Sequence, residues 1–107
     1  MDVRISARHC TITETTRELA RKRMQRMTRF EPRAAAAEIL FSEVNAFKQA
    51  EIRLSVPGSA PMHARGEGDT FRSALDRAAE RLARQVRRHR TRSADRRAAP
   101  ASQAMAR

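Results

Sequence analysis

A chain of 107 residues has room for one domain with a single modest core, so its function must sit on the surface or in a shallow cleft. Its 23 Lys and Arg outnumber 12 Asp and Glu, leaving a formal net charge of +11, and Lys22 and Lys48 are the only lysines. An excess of that size points to a polyanionic partner, either nucleic acid or an acidic membrane surface, and no apolar run approaches the roughly 18 residues of a membrane span.

The opening "DVRISAR" alternates Val3, Ile5 and Ala7 with polar residues, the period of a half-buried strand. "MDVRISARHC" also lacks the apolar core of a signal peptide, and a cytoplasmic protein is expected. Cys10, the single cysteine, has no internal partner for a disulfide and reads as a small residue near a strand end. Thr13 then offers a helix N-cap, with Glu14 suited to the positive helix start. Ile12, Thr16, Leu19, Ala20, Met24, Met27 and Phe30 follow helical spacing until Pro32 closes the element. "AEILFSEV" (37–44) and "AEIRLSV" (50–56) read as paired strands, and after "PGSAP" the stretch "MHARGEG" (62–68) reads as a weaker fourth. Asp69 is the expected cap of a second helix with Phe71, Leu75, Ala78, Leu82 and Val86 on one face. Beyond Arg92 the only large apolar residue is Met105, so residues 93–107 are expected to form a mobile tail behind a domain spanning 1–92. The order β-α-β-β-β-α predicts an α+β sandwich, a four-stranded sheet with two helices packed on one face.

Charge divides along the same lines. Residues 14–30 hold six basic and two acidic side chains, and residues 69–92 hold eight and three, whereas 31–68 hold four basic against five acidic. At about 100° per residue, Arg77, Arg81, Arg84 and Arg88 form a stripe along one flank of the second helix, while Asp69, Asp76 and Glu80 cluster elsewhere. Lys22, Arg26 and Arg29 flank the Met24 and Met27 face of the first helix in the same way. Two such ridges make one groove if the helices lie side by side. The competing reading is a solvated face balanced within each helix, by pairs such as Glu80 with Arg84, but the acids present balance only a minority of the arginines. Arginine's planar fork suits phosphate, and structured RNA fits it well. There is no Tyr or Trp, and Phe30 and Phe71 fall on helix core faces, so recognition is expected through shape and phosphate position rather than base stacking.

The stretch "ITETTRELARKRMQRMTRF", followed beyond three strands by "HARGEGDTFRSALDRAAERLARQVRRHR", resembles the ribosome hibernation promoting factor family, which includes the ribosome-associated translation inhibitors. The resemblance covers residues 2 to about 92 and is most specific at Asp69, Phe71, Ala74, Leu75 and Asp76, leading into Leu82, Arg84 and Gln85. It implies the same β-α-β-β-β-α domain. It also implies a partner, the small ribosomal subunit, with both basic helices facing ribosomal RNA at the decoding channel where messenger and transfer RNA would sit. By position, the family's basic sites match Arg17, Arg23, Arg26 and Arg29 on the first helix and Arg81, Arg84 and Arg88 on the second. Arg17 and Arg23 rest on the resemblance alone. Phe71 stands where the family commonly has Tyr, and the chain ends at Arg107 without the second domain of long-form members, so it looks like a short form, expected to be monomeric off the ribosome.

An enzyme would need His9, His63 or His89 for acid and base work, but they are scattered over a strand end, a strand and a helix, with no phosphate loop, carboxylate pair or zinc spacing beside them. No catalysis, cofactor, metal or small-molecule substrate is expected. The alternative reading is a general DNA- or RNA-binding module of nucleoid type, since phosphate attraction does not distinguish duplex DNA from RNA. A membrane-surface role would need bulky apolar residues facing outward, and the large ones here are required for the core.

Overall fold

The computed structural model describes residues 1–106, with side chains through Arg92. Its elements follow the expected order: β1 (Asp2–Arg8), α1 (Glu14–Phe30), β2 (Ala36–Val44), β3 (Phe47–Ser55), β4 (Met62–Gly68) and α2 (Phe71–Ala106). The expectation of a mobile tail over 93–107 lies outside the residues whose side chains are described. The four strands form one sheet in the order β1-β2-β3-β4, with β1 parallel to β2 and the other pairs antiparallel. This is the α+β architecture of two helices against a sheet, because the β1-α1-β2 crossover and the chain after β4 each leave a helix with an apolar face to bury.

The core lies between the helices and the sheet. Ala37, Ile39 and Phe41 of β2 alternate inward and meet Ala50, Ile52 and Leu54 of β3, all essentially buried. From above, Ala20, Met24 and Met27 of α1 and Leu75, Ala78, Leu82 and Val86 of α2 close it. Phe71 stacks edge-on against Phe41, with ring centroids 5.7 Å apart, so the apolar ring carries the packing and no hydroxyl is required there. The opposite face of the sheet carries a mixture of charges, including the exposed Arg65–Glu51 pair at 3.4 Å.

Three local features depart from the expectations. Helix α2 is capped by Thr70 rather than Asp69: the Ser73 amide donates to Thr70 Oγ1 at 3.0 Å, and Phe71 is the first helical residue. Both residue types cap well, and register alone decides between them. Strand β3 starts at Phe47, three residues before the expected Ala50, because Asn45 and Ala46 turn the chain in two residues with φ of 52° and 68°. Phe30, placed on the core face by its spacing, is 44% exposed. It lies about 120° around the helix from Met24 and is the last residue of α1, so the sheet does not reach it.

The tightest contact is between α2 and β4. Gly66 lies directly under the helix: a Cβ there would come within 2.2 Å of the Ala74 carbonyl oxygen and 2.5 Å of the Ala78 nitrogen. The nearest obstacles are backbone atoms, which cannot swing aside. Gly66→Ala is therefore expected to cost about 3 kcal/mol or more, read as a fall in urea midpoint. Leu82→Asp should abolish the cooperative transition, by placing an unpaired charge among fully buried neighbours.

Candidate nucleic-acid interface

Because β1, β2 and β4 run the same way, the two helices that pack back across them also run parallel to each other, and residues at matching heights face one another. Lys22 lies beside Arg72 at the N-terminal end of the pair. One turn on, Arg23 forms an ion pair with Asp76 across the interface. Farther along, Arg23, Arg26, Met27 and Phe30 of α1 face Ala79, Glu80, Ala83, Arg84 and Arg87 of α2 over an open groove. At the far end the Arg90 guanidinium donates to the Phe30 carbonyl at 2.7 Å, satisfying an orphan acceptor at the negative end of α1. The helices do lie side by side with a groove between them, but of the two expected ridges only Arg26 and Arg84 line it.

The predicted residues separate into two sets. Arg77 and Arg81 turn toward the free edge of the sheet, where Arg77 donates to the Glu67 carbonyl and Arg81 to the Arg65 carbonyl. Gln85, one turn further along α2, donates to the His63 carbonyl. Strand β4 is the last strand, so alternate carbonyls on its outer side have no ladder partner. Three side chains spaced four apart on α2 meet three carbonyls spaced two apart on β4, and the edge is closed against pairing with another strand. Arg17 similarly reaches the Ile5 carbonyl at 3.4 Å, and Arg23 is held by Asp76. These four arginines hold the scaffold, and their charge adds to the surface potential.

Lys22, Arg26, Arg29, Arg84 and Arg88 are exposed and make no hydrogen bond or ion pair among the described residues. The Glu80–Arg84 pair that would have supported a balanced, solvated helix does not form among them; the acids of α1 instead serve Arg21, which lies within 3.3 Å of Glu18 and 3.8 Å of Glu14. Arg87 was not among the predicted residues, yet it lines the inter-helix groove and, with Arg81, Arg84, Gln85 and Arg88, the adjoining patch. Its signal in the sequence was its place on the α1-facing side of the Arg84 ridge, which only the packing of α1 makes meaningful. His9 follows the end of β1, His63 lies on β4 and His89 on α2, and no group of three or more potential metal ligands occurs among the described residues. No helix among them is long and apolar enough to cross a membrane.

Residues 3–94 match the family described as sigma 54 modulation protein / S30EA ribosomal protein, which is most of the chain. The chain belongs to that family. It is the family of ribosome-associated modulation proteins to which the hibernation promoting factors belong, as the resemblance in sequence implied. In fold the chain is similar to a ribosomal subunit interface protein from Coxiella burnetii, with a TM-score of 0.79 at 21% identity over 85% of this chain and 99% of that one. It is also similar to the N-terminal domain of Protein Y from Thermus thermophilus, with a TM-score of 0.74 at 27% identity over 83% of this chain and 99% of that one. No curated protein matches it by sequence.

The two sets of arginines should separate by experiment. Arg77→Ala and Arg81→Ala each remove a donor to a strand carbonyl and are expected to lower stability by about 1 kcal/mol. Arg84→Ala and Arg88→Ala should leave the unfolding free energy from urea titration within about 0.5 kcal/mol of the parent.

Proposed function

We propose that this protein is a cytoplasmic, non-enzymatic ribosome hibernation factor that binds small-subunit ribosomal RNA at the decoding channel. The observation that carries the reading is a row of cations that have no acidic partner among the described residues, along one surface of the helix pair, in a member of a ribosome-associated family. Arg26, Arg84, Arg87 and Arg88, with Lys22 and Arg29 on the flanking turns of α1, contact phosphates, and the sheet acts as a rigid backing. The domain occupies space that messenger and transfer RNA require, and translation stops while the idle ribosome is preserved. A fold shared with a protein called a ribosomal subunit interface protein supports placement on the subunit's interface side. The closed β4 edge, which α2 covers, supports a chain that is monomeric off the ribosome.

Every neutralised phosphate releases counterions, so affinity falls steeply with salt: about a thousandfold between 50 and 200 mM if six phosphates are contacted. Co-sedimentation on sucrose gradients with separated subunits and whole ribosomes, with duplex DNA as competitor, tests the reading. The protein is expected to travel with small subunits and whole ribosomes despite the DNA. Protein left at the top, or stripped off by DNA, would contradict the proposal. Reversal of Arg84, Arg87 and Arg88 to Glu should abolish co-sedimentation while leaving the thermal transition in place, because all three side chains are exposed.

A further inference from the structure

We propose that the groove between α1 and α2 receives one unpaired nucleobase of the bound RNA, stacked on the Phe30 ring and preferentially one carrying an exocyclic amine. The inference rests on the reading of this surface as the RNA-contacting face and adds base recognition to it. Phe30 is 44% exposed at the groove, the one aromatic ring placed among the arginines there. Its backbone is already fixed, because Arg90 holds the Phe30 carbonyl and the Glu31 amide closes the last turn onto the Met27 carbonyl at 2.9 Å. With the backbone held, only the two side-chain torsions of the ring remain to be ordered when a base stacks on it.

The rest of the groove suits a nucleotide. Met27, Ala79 and Ala83 give it an apolar floor, and the two alanines keep it open where larger residues on α2 would fill it. Its volume of about 450 Å³ is in the range of sites that hold small ligands. Arg26, Arg84 and Arg87 stand on the rim, placed for the phosphates on either side of an inserted base. An apolar peptide would bring no charge to match this rim, whereas a nucleotide brings both a flat apolar face and its own anions.

Glu80 is the acid in this groove and makes no ion pair or hydrogen bond among the described residues. A carboxylate repels phosphate but accepts a hydrogen bond from the amino group of cytosine or adenine. In that setting it favours an amine-bearing base over uracil.

The test uses three RNA hairpins of the same stem: fully paired, with one bulged cytidine, and with one bulged uridine. The full chain is expected to bind the cytidine bulge about five- to hundredfold tighter than the paired stem, the range for one base on an aromatic ring. Phe30→Leu should erase that preference while leaving affinity for the paired stem unchanged, and Phe30→Tyr should keep it. Glu80→Gln should narrow the gap between cytidine and uridine bulges. A cytidine preference that survives Phe30→Leu, or no preference in the parent protein, would overturn the proposal while steep salt dependence on all three hairpins still supported phosphate binding. Weak, salt-insensitive binding to every hairpin would overturn both.

Discussion

The close approach of α2 to β4 at Gly66 is the constraint on which the remaining surface depends. With backbone of the helix resting where a Cβ would otherwise lie, α2 has neither height nor rotation to spare. That seating sends Leu75, Leu82 and Val86 into the core and turns Arg77, Arg81 and Gln85 toward the sheet edge. Arg84, Arg87 and Arg88 are left facing outward. A small rotation of the helix would exchange these groups, moving cations from solvent onto the edge and uncovering apolar surface. The positions of these exposed cations are thus set by a backbone contact made two to three turns earlier on the same helix.

Arginine serves two purposes on this scaffold, and the same chemistry explains both. A guanidinium donates several hydrogen bonds in fixed directions, so it can close a sheet edge or a helix end by way of carbonyls, as Arg81 and Arg90 do, or grip a phosphate where no carbonyl is near. The parallel run of the helices sorts the charges as well. Acids gather toward the N-terminal ends, at Glu14, Glu18 and Asp76, while from Arg81 to Arg92 there is no acid at all. The positive field is therefore strongest beside the C-terminal turn of α1, where the helix dipole offsets part of the crowding. Like charges held this close repel one another, and a polyanion in the groove relieves that repulsion.

Much of the fold was legible because the signals were long and periodic. Helix α1 starts at the Thr13 cap, whose hydroxyl accepts from the Thr16 amide at 3.1 Å, and it ends before Pro32 as the spacing implied. What the sequence concealed depended on neighbours. A stripe plotted on one helix gives direction relative to that helix's own apolar face, but not which element lies at each direction. Arg77 and Arg88 look equivalent in such a plot, yet one meets the β4 edge and the other faces solvent. The pairing of Arg23 with Asp76 has no local signal, because the two are 53 residues apart. Phe30 looked buried because periodicity cannot tell where the sheet beneath a helix ends. The Asn45–Ala46 turn lacked the glycine that usually marks such hairpins, which hid the start of β3.

In the proposed function, the α1–α2 groove and its cationic rim form the surface that meets ribosomal RNA. A cryo-electron microscopy reconstruction of the full chain on the small ribosomal subunit tests it most directly. The account predicts both helices against RNA in the decoding channel, with Arg26, Arg84 and Arg87 at phosphates and the polar face of the sheet turned away. Density elsewhere on the subunit, or contact made through that sheet face while the groove stays open to solvent, would contradict it.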